Sequence, residues 1–73
     1  MTNDAASRGL ANRIKQVRME RDLTQVMLAD MVGVSRKTIN TVENGIFIPS
    51  VLLSLLIARA LRVTIDELFY IIP

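Results

Sequence analysis

The chain has no cysteine, no histidine and no tryptophan, and among its 73 residues there are only three aromatic side chains. Without cysteine there is no disulfide, no iron–sulfur cluster and no thiolate zinc. Without histidine the commonest general base and the commonest transition-metal ligand are gone. Three glycines form no phosphate-cradling loop, and the carboxylates do not gather into one stretch. Metalloenzymes and triad hydrolases are excluded as readings, and the chain is expected to be no enzyme and to need no cofactor. Long apolar runs are missing too. The greasiest window, Val51 to Ala58, has eight residues, against about 20 for a membrane-spanning helix. The opening MTNDAAS is polar and carries Asp4, unlike a signal peptide. A soluble, cytoplasmic chain with no membrane partner is expected.

What is present starts with size. One domain fits, and a core of this length supplies roughly 3–5 kcal/mol by itself. With no staple available, packing or self-association must supply the rest. Nine Lys/Arg against seven Asp/Glu leave a net charge of only +2, but the distribution is uneven. Seven of the nine basic residues lie in the first 37 positions beside four acids, and only Arg59 and Arg62 follow. A mildly basic first half and a greasy second half point to an anionic partner on one side and an apolar contact on the other.

Residues 1–7 read as a flexible N-terminus and 8–73 as a single domain. Ser7 is a candidate cap for a first helix bearing Leu10, Ile14 and Val17 on one face. Thr24 caps a second, Gln25 to Val32, that stops at Gly33. Ser35 caps a third, about Arg36 to Glu43, with Ile39 and Val42 inward, and Asn44-Gly45 ends it. The extended Ile46-Phe47-Ile48 leads into Pro49. Ser50 caps a fourth helix, Val51 to Leu61, with Val51, Leu53, Ile57, Ala58 and Leu61 toward the core. Thr64 and Glu67 form a capping box for a short fifth helix to about Phe69. With no alternating stretch long enough for a strand, the prediction is an all-α bundle of five helices.

The stretch QVMLADMVGVSRKTINTV, from Gln25 to Val42, carries the functional information. Two helices joined by a short turn must approach closely, so the contact residue is small: Ala29. The turn needs a left-handed residue: Gly33. β-Branched Ile39 and Val42 lock the second helix onto the first. That spacing describes a helix-turn-helix, whose second helix projects far enough to enter a DNA major groove.

The run LTQVMLADMVGVSRKTINTVENG, followed by PS and then ALRVTIDELF, resembles the Cro/repressor-like helix-turn-helix transcriptional regulators, and most closely the compact single-domain members. The resemblance implies a lambda-repressor-like five-helix bundle, binding to operator DNA, and a homodimer on a two-fold symmetric site. It also implies a prokaryotic or phage source, with the protein nucleoid-associated when bound. Gln25 matches the glutamine that faces DNA phosphate. Ser35, Arg36, Lys37, Asn40 and Thr41 match the exposed face of the recognition helix. Their chemistry suits the role, because Arg36 can bond both guanine acceptors, Asn40 can pair with adenine, and Thr41 offers a methyl to thymine. Lys37 and Thr38 can equally reach phosphate. Asn44 and the backbone amides after Gly45 are expected near phosphate, and Arg13 and Arg18 are candidate backbone contacts or partners of Glu20, Asp22 or Asp30.

Two departures from the family pattern stand out. Val26 and Met27 replace polar residues after Leu-Thr-Gln, so Thr24 has no Glu partner and its capping box is expected to be lost. The C-terminal half is unusually apolar: Leu52, Leu55 and Leu56 turn outward on the fourth helix, followed by Phe69, Tyr70, Ile71 and Ile72. These seven residues are the expected dimer interface; in the alternative, the tail folds back over the leucines within one chain. No second domain is expected to hold an effector, and so no small-molecule ligand is expected. The rival reading is a protein-interaction module, an antitoxin or partner-linked regulatory subunit on the same fold.

Overall fold

Four hydroxyl side chains start four of the helices. The hydroxyls of Thr24, Ser35, Ser50 and Thr64 accept from the amides of Met27, Thr38, Leu53 and Glu67 at 3.0, 3.1, 3.0 and 3.2 Å. Each satisfies an amide that the first helical turn leaves unpaired. In the computed structural model, residues 9–72 are described. The flexible segment expected over 1–7 and the Ser7 cap lie outside them. The elements run β1 (Gly9–Asn12), α1 (Ile14–Glu20), α2 (Gln25–Val32), α3 (Arg36–Glu43), α4 (Val51–Leu61), α5 (Ile65–Leu68) and β2 (Phe69–Ile72).

The five helices are as expected, but the all-α reading is corrected by a small antiparallel ribbon. Gly9 faces Ile72, Leu10 faces Ile71, Ala11 faces Tyr70 and Asn12 faces Phe69. Consequently α1 starts at Ile14, and Leu10 sits on a strand rather than on a helical face. Asn12 anchors the ribbon to the helices: its carboxamide oxygen accepts from the Ile14 amide at 3.1 Å and its nitrogen donates to the Val42 carbonyl at 2.9 Å.

The core is one cluster fed by every helix. Ile14 and Val17 come from α1, Leu28 and Ala29 from α2, Ile39 and Val42 from α3, Ile57, Ala58 and Leu61 from α4, and Leu68 from α5. Ala29 is 2% exposed, as a close α2–α3 approach requires. Gly33, at φ 78°, closes α2 in the left-handed conformation that costs glycine least. One inward position differs: Val51 is exposed, whereas Ser54 is buried and bonds back to the Ser50 carbonyl at 2.9 Å. Val51 is the first residue of α4, where the helical face continues but nothing packs opposite it. Among the described residues, no helix is long and apolar enough to cross a membrane.

The capping box of Thr24 is also present, in altered chemistry. The Met27 sulfur stands 3.5 Å from the Thr24 amide and takes the place of the absent glutamate. A thioether is a weak acceptor, so the geometry survives with less energy behind it.

Candidate nucleic-acid interface

α3 presents two unlike faces. Ile39 and Val42 are buried against α2 and the core, while Arg36, Lys37 and Asn44 are exposed and Thr38, Asn40 and Thr41 are half-buried along the outer side. Among the described residues, neither Arg36 nor Lys37 is in an ion pair. The polar groups around them are held in place. The Ser35 and Thr38 hydroxyls lie 3.0 Å apart, and Thr41 donates its hydroxyl to the Thr38 carbonyl at 2.9 Å. Asn44 donates to both the backbone and the side-chain oxygen of Asn40, at 2.9 and 3.3 Å. That contact fixes the Asn40 carboxamide and leaves its own nitrogen free to donate outward.

The one acid of α3 is kept off this surface. The Glu43 side chain is 3% exposed, and its carboxylate accepts from Arg18 Nε at 2.8 Å, Arg18 Nη2 at 3.3 Å and Gln25 Nε2 at 3.1 Å. Arg18 also donates to the Leu23 carbonyl at 2.9 Å. A single buried carboxylate therefore ties α1, α2 and α3 together, and the outer face of α3 is left with cationic and neutral polar groups only. Such a face suits the anionic, acceptor-rich major groove.

The network corrects one expectation. Arg18 is buried at 8% exposure with its donors taken by Glu43 and Leu23, so it is not available to a phosphate. Nor does it pair with Glu20, Asp22 or Asp30. Arg13 remains exposed, with its guanidinium 4.3 Å above the Tyr70 ring and a 3.4 Å contact to the Glu67 carbonyl. Gln25 opens α2 and gives one amide hydrogen to Glu43, which orients the side chain while a second hydrogen remains. In the sequence Glu43 stands only as the last residue of the third helix. The signal that could have found its role is an acid on the inner side of a helix, one residue after buried Val42.

The C-terminal apolar residues stay uncovered. Leu52, Leu55 and Leu56 are 67%, 50% and 37% exposed. Phe69 is half-buried against the core, while Tyr70, Ile71 and Ile72 are exposed on β2. Because the tail pairs with β1, it does not fold back over the leucines.

A family profile described as helix-turn-helix matches residues 14–68. The chain belongs to the helix-turn-helix family, of the Cro/repressor type. Members of this family are transcriptional regulators, a non-enzymatic kind of protein that binds DNA. The chain is similar to the uncharacterized HTH-type transcriptional regulator YgzD of Bacillus subtilis, with 32% identity over 62 residues covering 85% of this chain and 94% of that one. A second HTH-type regulator, from Methanothermobacter thermautotrophicus, is 47% identical over 57 residues, covering 77% and 83%. Among solved structures, a Bacteroides fragilis protein assigned to DNA binding superposes with a TM-score of 0.76 at 31% identity, over 84% of this chain and 98% of that one. The restriction-modification controller protein C.AhdI of Aeromonas hydrophila gives 0.72 at 31% identity, over 75% and 83%.

Proposed function

We propose that this helix-turn-helix regulator reads a two-fold symmetric operator as a homodimer, in the cytoplasm where the nucleoid lies. The observation that carries the reading is the outer face of α3, where Arg36, Lys37, Asn40 and Thr41 stand without an exposed acid while Glu43 is buried and paired. Arg36 and Asn40 read base edges, and Thr41 packs on a thymine methyl. Ser35, Lys37, Thr38, Asn44, Gln25 and Arg13 meet phosphates and set the register.

Dimerisation is supported by charge and by the apolar residues together. A net charge of +2 gives one domain little hold on a duplex. Two domains docked on half-sites about 34–36 Å apart double both the phosphate contacts and the bases read. Leu52, Leu55 and Leu56 on α4, with Phe69, Tyr70, Ile71 and Ile72, form the interface. The exposed leucines exceed the scatter of single apolar residues expected on a monomer.

The test is selection from random duplex DNA at near-physiological salt, with sedimentation equilibrium of the free protein at micromolar concentration. An enriched symmetric site and a two-chain species support both halves of the reading. Sequence-independent, salt-sensitive retention defeats operator reading and favours the antitoxin-like or partner-linked module. A strictly one-chain mass, free and on DNA, defeats the dimer.

A further inference from the structure

The turn after α3 departs from a phosphate-binding surface in a specific way. Ile46, Phe47 and Ile48 carry no charge and no side-chain donor, and they are 77%, 47% and 71% exposed. The amides of Ile46 and Phe47, which could meet phosphates, are instead directed inward and donate to the Thr41 carbonyl at 3.0 and 3.2 Å. These bonds fold the turn back against the outer face of α3. Between helix and turn lies an open hollow of about 350 Å³, lined by Lys37, Thr38, Thr41, Ile46 and Phe47.

From this arrangement we infer that the hollow receives the C5-methyl group of a thymine in the major groove. The inference rests on the reading that α3 enters that groove with Thr41 toward a thymine, and it adds Ile46 and Phe47 of the turn as the residues that enclose the methyl. Three aspects of the surface select this occupant. Ile46 and Phe47 supply the apolar side of the hollow's lining, opposite Thr38 and Thr41 of α3, and so match the one apolar group exposed on the floor of the groove. The Thr41 hydroxyl is already bonded to the Thr38 carbonyl, so an apolar group enters without stranding a donor. The charge at the rim is the Lys37 ammonium, which carries no ion pair among the described residues and complements the phosphates flanking a base pair. A thymine can thus be recognised from the side of the turn, independently of the hydrogen bonds made by Arg36 and Asn40.

Deoxyuridine differs from thymidine only in lacking this methyl and keeps every hydrogen-bonding group, so it isolates the contact. Each thymine of the operator selected by the full chain is replaced in turn by deoxyuridine, and Kd is measured at fixed salt by fluorescence anisotropy. At one position per half-site, replacement should weaken binding by about fourfold, the factor for roughly 0.8 kcal/mol per buried methyl-sized group. Phe47→Ala should bind the thymine operator more weakly and lose the distinction at that position only, and Ile46→Ser should reduce it. Both residues are surface side chains, and circular dichroism checks that the variants fold. A uridine series that is flat at every position overturns the inference while leaving operator reading intact. So does discrimination that persists undiminished in Phe47→Ala. A flat series together with a Phe47→Ala protein that sediments as one chain assigns the hollow to a second copy instead. Failure to select any operator removes the reading on which the inference depends, and the inference with it.

Discussion

Replacing Glu43 with leucine tests the account in which one buried carboxylate holds α1, α2 and α3 in register. Glu43 and Arg18 have side-chain exposures of 3% and 10%, and the carboxylate takes two contacts from Arg18 and one from Gln25. Glu43→Leu leaves the Arg18 guanidinium buried with only the Leu23 carbonyl as acceptor. Breaking a buried pair in this way costs roughly 3–5 kcal/mol. That is comparable to the whole stability expected from a core of this size, so the variant should be largely unfolded at room temperature. Adding Arg18→Met removes the stranded charge and fills its volume with apolar atoms. The double variant should then recover more than half of the loss, since a buried ion pair and a well-packed apolar pair are often of similar worth. Urea denaturation followed by circular dichroism, at one protein concentration throughout, reads all three proteins. A Glu43→Leu loss below about 1 kcal/mol would refute the reasoning. A double variant no more stable than Glu43→Leu would do so equally.

The other expectations address reading, assembly and capping. Arg36→Ala should lose roughly 1–3 kcal/mol per base contact and relax preference at one position per half-site, read by repeating the DNA selection; an unchanged preference removes Arg36 from the reading set. Leu55→Lys, at a half-exposed site the monomer tolerates, should shift sedimentation from two chains to one while the helical spectrum persists; an unchanged mass takes α4 out of the interface. Met27→Glu should raise stability by roughly 0.3–1 kcal/mol, because a carboxylate replaces a weak sulfur acceptor at the start of α2; no gain in urea midpoint contradicts the capping account. The Glu67 carboxyl is held below the ordinary glutamate range by hydrogen bonds from the Thr64 amide and then the Thr64 hydroxyl. Its stabilisation is present above the unfolded-state pKa and is lost as pH falls through the lowered folded value, so Glu67→Gln should flatten the acid limb of a midpoint-against-pH curve.

The parts of the fold legible in the sequence are those whose causes are local. A hydroxyl bonding an amide three residues on, or a glycine closing a helix, acts within one turn, so Thr24, Ser35, Ser50 and Thr64 place their helices correctly. The ribbon was hidden because Phe69-Tyr70-Ile71-Ile72 has no alternation, and its partner strand lies at the other end of the described chain. Leu10 added to the concealment: four residues before Ile14, it imitates a helical face. The role of Arg18 is hidden for a similar reason. Its partner Glu43 lies 25 residues away on another helix, and nothing near Arg18 in sequence announces it. Met27 shows a different gap, since a rule that looks for glutamate or glutamine overlooks a sulfur in the same place. On the outer face of α3 the residue types were readable, but which groups are bound to one another was not.

Because Gly9 lies opposite Ile72, the first and last described residues are next to one another. The backbone from β1 to β2 is therefore close to a ring, and its ordering in sequence is nearly arbitrary with respect to its contacts. A circular permutant, joined across these ends and reopened at the exposed Arg21–Asp22 turn, would retain the α2–α3 pair and the caps as uninterrupted local segments. It would also turn the ribbon from the longest-range pairing among the described residues into a hairpin. Loop-closure entropy now makes that pairing late and α2–α3 early. The rearranged chain would invert the order in which the two ends of the molecule become fixed.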